Sequence, residues 1–225
     1  MIDFEPIYLT LKLAFTTTVI LLIVGLPLAY WLAYSKIKSK VIIEAVVSLP
    51  LVLPPSVLGF YLLIAFSPEN AFGKFLDNYF DIRLVFTFTG LVISSVLYSL
   101  PFMVQPAQSG FKSISKNLID ASYTLGKSKW QTVFHVLLPN MKMALLTGIV
   151  LSFAHTIGEF GVVLMVGGSI PNETKVVSIA VFDEVTAMNY HDANVYSAIL
   201  LIFSFVVLLS VYSINHRFSK ISPLP

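Results

Sequence analysis

His155 and Glu159 are ionisable side chains set in strongly apolar sequence, within the run Ala154-His155-Thr156-Ile157-Gly158-Glu159-Phe160-Gly161. Spaced four apart, they share one face of a helix. The chemistry open to them is narrow. Two ligands do not make a metal site, and the chain has no cysteine to supply a thiolate. Covalent or acid–base catalysis needs a nucleophile, a base and an orienting group together, so no catalytic residue, metal or cofactor is expected. Ionisable groups inside a membrane span face the bundle interior and often mark a pathway. A carboxylate is a poor ligand for an anion, so the pair is read as a helix brace or gate, with His155 as the partner of Glu159. Gly158 and Gly161 would let a neighbouring helix come close. Glu44 is the other acid in a comparably apolar setting.

A second stretch imitates a nucleotide site. Ala121 through Ser128 reads A-x-x-x-x-G-K-S, close to the phosphate-cradling G-x-x-x-x-G-K-[ST]. That loop works because a strand delivers a glycine-rich turn to a helix start. Here Ala replaces the first Gly, Ser-Tyr-Thr-Leu fills the interval, and no buried strand precedes it. Nucleotide binding by this chain is not expected.

The elements that position these residues are membrane spans. Of 225 residues 56% are hydrophobic and 12% charged, and mean hydropathy is +0.84; soluble domains carry about a quarter charged residues. A net charge of +2 is too small to imply nucleic-acid binding. Residues 1–6 hold Asp3 and Glu5 and no basic residue, unlike the n-region of a signal peptide, so the first apolar stretch is expected to stay attached. Spans of about 20 apolar residues fall at about 7–34, 41–66, 84–105, 141–166 and 193–214, in one membrane domain covering 1–225. The fold class is therefore an all-α integral membrane protein of five transmembrane helices. Lys36, Lys38 and Lys40, then Lys112, Lys116, Lys127 and Lys129, then Arg217 and Lys220 gather on one side. By the positive-inside rule the N-terminus is outside and the C-terminus cytoplasmic.

Two spans are irregular. Pro50, Pro54 and Pro55 interrupt the second, and carbonyls freed by proline are tolerated only against protein or a water-filled cavity. Pro54, Pro55 and Ser56 join His155 and Glu159 as candidate pathway or gate residues. Thr16, Thr17 and Thr18 are further lining candidates, although threonines in spans also bond their own helix carbonyls.

The cytoplasmic segment at about 110–140 reads as two short helices. Ile114, Leu118, Ser122 and Leu125 form one weakly apolar stripe. Gly126 suits a left-handed helix end. Ser128 and Gln131 form a capping-box pattern, and Pro139 limits the second helix. Within it, Asp120-Ala121-Ser122 is followed after three residues by Gly126, and after nine more by Val136-Leu137-Leu138-Pro139.

That spacing resembles the E-A-A loop of ABC-importer permeases, E-A-A, three residues, G, nine residues, I-x-L-P. Asp120, Ser122 and Val136 are the departures, all chemically mild. The run 49–55, Ile157-Gly158-Glu159-Phe160-Gly161 and the loop Gly167-Gly168-Ser169-Ile170-Pro171-Asn172-Glu173-Thr174-Lys175 are similar to molybdate-importer permeases, and sulfate permeases share the E-F-G and I-P elements. The resemblance covers nearly the whole chain. It implies the type I ABC-importer permease fold in a bacterial or archaeal cytoplasmic membrane. It further implies a homodimer with a second permease copy, two ABC ATPase subunits, an external substrate-binding protein, and alternating access driven through Asp120, Ala121, Ser122, Gly126, Val136, Leu138 and Pro139. The expected function is ATP-driven translocation of molybdate, with tungstate or sulfate as the alternative oxyanions. A secondary transporter would need internal repeats, which are not visible in the sequence.

Overall fold

The computed structural model describes residues 3–221, without the side chains of 211, 212 and 214–221, so the side chains of Arg217 and Lys220 lie outside what is described. The described residues form helices joined by short turns, and no strand occurs among them.

The first helix, α1 (Glu5–Tyr34), starts with Glu5 and Pro6 in its first turn, positions that favour an acid and tolerate a missing amide. Thirty residues rise about 45 Å, more than the roughly 30 Å hydrocarbon core. Thr10 and Thr18 donate to the carbonyls of Pro6 and Ala14, each at 2.7 Å. Thr18 thus satisfies its own helix.

The second expected span is not one rod. It divides into α2 (Lys40–Ser48), a 3-10 turn at Leu49–Leu51, and α3 (Pro55–Phe66), and the two halves are bent by 112°. Pro54 and Pro55 lack amide donors, so the ladder cannot run through them. After α3 a short turn leads to α4 (Ala71–Phe80), a helix between the second and third expected spans.

The third span, α5 (Phe88–Ser113), begins later than the expected 84 and runs past 105. Residues 84–87 form a turn in which Phe86 takes φ +61. Thr87 then caps α5, accepting from the Gly90 amide at 3.2 Å. This helix is the hub of the fold and packs on α1 along most of its length. Leu91 and Val92 meet Leu9 and Leu13 towards one end, and Val104, Ala107 and Phe111 meet Ala29 and Leu32 towards the other.

Beyond α5 come α6 (Lys116–Thr124) and α7 (Lys129–Thr132), a π turn at Val133–Leu137, and α8 (Leu138–Asn140). Pro139 does not end the helix as expected. It sits in the first turn of α8, and the wide π turn before it relaxes the register that proline would otherwise clash with. The chain bends by 77° into α9 (Lys142–Gly158), which packs on α5 and α1. The fourth expected span also breaks. Glu159 and Phe160 leave the helix before α10 (Gly161–Gly167) resumes it. The last elements are α11 (Val177–Thr186) and α12 (Tyr190–Ile221). Among the described residues three helices are long and apolar enough to cross a membrane alone, or up to five spans if each bent pair counts as one.

Candidate functional site

The breaks in the second and fourth spans meet. Around them lies an open cleft of about 580 Å³ lined by Pro55, Ser56, Tyr98, His155, Gly158 and Glu159. Four of the five sequence-predicted gate residues therefore share one cavity, and the fifth, Pro54, is the N-cap of α3. Contact between the breaks depends on glycine. A Cβ on Gly161 would stand 2.7 Å from Pro55 Cβ and 3.1 Å from the Ser56 nitrogen. One turn along, a Cβ on Gly59 would stand 3.0 Å from Val162 Cα. The seam between α3 and α10 is thus a glycine-mediated contact at both levels. Gly158 is different from the sequence expectation, since nothing lies within 4 Å of a Cβ there. It opens onto the cleft rather than admitting a helix.

His155 and Glu159 do not pair. Helix α9 ends at Gly158, and Glu159 turns to extended backbone at φ −70 and ψ 133, which cancels the four-residue helical relation. His155 instead places Nδ1 2.9 Å from Ser99 Oγ, with its ring stacked on Phe102 at 4.0 Å and beside Tyr98 at 4.8 Å. Ser99 Oγ lies 3.1 Å from Thr156 Oγ1, and Thr156 donates to the Ser152 carbonyl at 2.9 Å. Each hydroxyl has one hydrogen, so the assignment satisfying all three bonds has Nδ1–H donating to Ser99, and Ser99 donating to Thr156. Glu159 is 4% exposed, and neither carboxyl oxygen has a hydrogen-bond partner. The Ser95 hydroxyl lies alongside and is likewise unpartnered. The Glu159 backbone is better held, its carbonyl accepting from Ser178 of α11 at 2.6 Å. Thr16, Thr17 and Thr18 do not line this cleft.

The other candidate segment folds as a capped pair of short helices. Helix α6 ends in a Schellman arrangement: the Lys127 amide donates to the Ser122 carbonyl at 3.1 Å, the Gly126 amide to Tyr123 at 2.9 Å, and Gly126 takes φ +76. The capping box is present, with Ser128 N–H donating to Gln131 Oε1 at 2.9 Å and Gln131 N–H to Ser128 Oγ at 3.3 Å. Ser122 faces inward, its Oγ 3.0 Å from Thr132 Oγ1, which ties α6 to α7. Asp120 and Ala121 face outward, Val136 and Leu138 are half-buried, and Pro139 is exposed. The apolar stripe through Ile114 does not form, because Ile114 caps α5 and the chain turns before α6. Leu125 of that stripe is exposed, and sequence reasoning missed two further exposed apolar side chains, Trp130 and Phe134, stacked at 6.4 Å. Large apolar residues in an otherwise charged segment were the available signal. Ala121 lies inside α6, so the P-loop imitation is helix where a phosphate cradle needs a turn.

The family described as "Binding-protein-dependent transport system inner membrane component" matches residues 25–220. The chain belongs to this family. It is a multi-pass inner-membrane permease of an ABC importer, and an ATPase and a binding protein are its implied partners. It is 48% identical, over 96% of its length and 95% of the relative's, to "Molybdenum transport system permease protein ModB" of Azotobacter vinelandii. It is 30% identical, over 94% of its length and 76% of the relative's, to "Sulfate transport system permease protein CysT" of Escherichia coli (strain K12). Among solved structures it resembles the inward-facing MetNI methionine ABC transporter, with TM-score 0.72, 17% identity and 94% of each chain covered. It also resembles a bacterial alginate ABC transporter, with TM-score 0.71, 18% identity, and 96% and 80% of the two chains covered. These likenesses carry the all-helical permease fold.

Proposed function

We propose that this permease moves molybdate across the cytoplasmic membrane, as a homodimer served by two ATPase subunits and an external binding protein. The observation that carries the substrate is the 48% identity, over nearly the full length, to a permease named for molybdenum transport. Sulfate is the second reading, favoured by the 30% identity to a sulfate permease over 94% of this chain. Residues 1–225 act as one membrane domain with five spans, two of them bent, the N-terminus outside and the C-terminus cytoplasmic. The lysines around α6 and α7 support that orientation.

Force enters through α6 and α7. Asp120 and Ala121 sit on the exposed face, Gly126 sets the turn, and Leu125, Trp130 and Phe134 offer apolar surface to an ATPase groove. Val136, Leu138 and Pro139 pass the movement to α9, whose far end carries His155 and leads into Glu159 beside the cleft. There the α3–α10 seam opens and closes the pathway, with Pro54, Pro55 and Ser56 at its edge. A transit site must bind weakly enough to release the ion, so discrimination among oxyanions rests mainly with the binding protein.

Proteoliposomes holding permease, ATPase and binding protein test this reading. Molybdate should stimulate ATP hydrolysis, tungstate should do so as well, and sulfate should do so poorly. Stimulation by sulfate alone would replace the substrate and leave the permease assignment standing.

A further inference from the structure

The helix α4 follows α3 after a short turn and carries three distinct stripes. Gly73 and Leu76, three apart, face the protein: a Cβ on Gly73 would collide with the Phe66 and Ser67 carbonyl oxygens, and Leu76 packs on the cluster around Phe66 and Leu84. Lys74, Asp77 and Asn78 form a polar stripe, where Asp77 holds Arg83 at 3.0 Å. Phe72, Phe75 and Tyr79 form the third stripe, at spacings of three and four that bring them onto one face. They are 52%, 48% and 76% exposed. Phe75 lies 5.0 Å from Tyr79, and Phe72 lies 6.2 Å from Phe66 at the end of α3.

The position of α4 says what covers this stripe. Asn70 Nδ2 donates to the Ile64 carbonyl at 2.7 Å, folding the connection back so that α4 begins where α3 stops. The next span, α5, begins at Phe88. A helix fixed between the ends of two neighbouring membrane segments lies at the bilayer boundary. The preceding helix α3 also exposes apolar side chains, at Tyr61 and Ile64. Aromatic side chains concentrate at this depth because their rings suit the headgroup–acyl boundary, and an amphipathic helix there lies in the plane of the interface.

We propose that α4 is an interfacial anchor, with Phe72, Phe75 and Tyr79 seated in the lipid boundary and Lys74, Asp77 and Asn78 in water. The charges on and around it, Glu69, Lys74, Asp77, Asp81 and Arg83, are mixed in sign, so apolar contact rather than attraction to anionic lipid holds it. Since α4 packs on α3, the anchor fixes the depth of the helix that brings Ser56 to the cleft. Rocking of α3 then pivots about this end instead of sliding along the membrane normal. The assignment holds on whichever side of the membrane α4 lies.

The chain contains no cysteine, so single-cysteine spin labels can be placed without further substitution. Labels at Phe72→Cys, Phe75→Cys and Tyr79→Cys, with Lys74→Cys and Asn78→Cys as the opposite face, would be read in proteoliposomes of zwitterionic lipid. Collision with oxygen, which concentrates in lipid, should exceed collision with a water-soluble nickel chelate at 72, 75 and 79. The order should reverse at 74 and 78. Equal exposure to nickel on both faces would overturn the proposal. So would shielding of 75 and 79 that arises only after ligand-loaded binding protein is added, which would make the stripe a protein-docking surface. Bromine-labelled lipid quenching of Phe75→Trp, against a background with Trp31→Phe and Trp130→Phe that removes both native tryptophans, reads the same depth should a cysteine variant fail to insert.

Discussion

Replacing Gly161 with alanine adds one carbon at the place where the two broken spans touch. That carbon would stand 2.7 Å from Pro55 Cβ, 3.1 Å from the Ser56 nitrogen and 3.3 Å from the Pro55 carbonyl carbon. Carbon atoms rest at about 3.5–4.0 Å, so the seam has to open by about 1 Å. No side chain can rotate away, because the opposing atoms are a proline ring and backbone. Overpacking of this kind costs about 1–3 kcal/mol, a shift of roughly 5- to 150-fold in any equilibrium that closes the seam. The expected result is faster hydrogen exchange at the start of α3 and slower transport, with the complex still assembled. Gly158→Ala is the matched control: its added carbon meets nothing within 4 Å, and exchange there should be unchanged. If Gly161→Ala transports normally and leaves exchange at α3 untouched, the seam is not the closing contact, and the gate reading fails.

Three further outcomes are expected. Gly126→Val should uncouple ATP hydrolysis from transport: at φ +76 with nothing within 4 Å the cost is backbone strain, about 1–2 kcal/mol, and Gly126→Asn should retain more coupling because asparagine tolerates the left-handed region. Normal transport by the valine variant would count against force entering through α6. Lys127→Ala should leave ATP hydrolysis by the assembled complex intact, since Ala121–Ser128 begins in helix; loss of hydrolysis with assembly preserved would revive the phosphate-loop reading. Ser99→Ala should leave the His155 Nδ1–H without its acceptor, lowering thermal stability by about 1–3 kcal/mol, and Ser99→Thr should restore part of it; equal stability of wild type and Ser99→Ala would break the proposed hydrogen-bond chain.

The membrane-crossing elements were legible because apolar length is a strong signal and bilayer thickness sets its scale. Helix ends were legible where a residue does something no other type does as well. Gly126 in the left-handed region and Ser128 with Gln131 landed where the pattern put them. Pro139 did not, since a π turn absorbed it, and no local signal announces a register change. Helices α4 and α11 escaped notice because ten residues are too short to register as spans. Yet Phe72, Phe75, Leu76 and Tyr79 already follow helical spacing in the sequence.

The site was legible in its parts and not in its geometry. Prolines 54 and 55 and the Gly158–Gly161 stretch each stood out alone, but nothing local says that the two breaks lie at one depth and touch. That fact comes from α5, whose length holds α1, α9 and α10 together. The mistaken pairing of His155 with Glu159 has the same root. Helical periodicity assumes an unbroken ladder, and α9 ends at Gly158, between the two residues. Once the ladder stops, His155 belongs to α9 and its bond to Ser99 of α5, while Glu159 belongs to the hinge, with its backbone held by Ser178 of α11 and its carboxyl left without a partner. A buried carboxyl without a partner is costly. If the seam between α3 and α10 opens as proposed, this carboxyl, already at the edge of the cleft, is a group that would gain water.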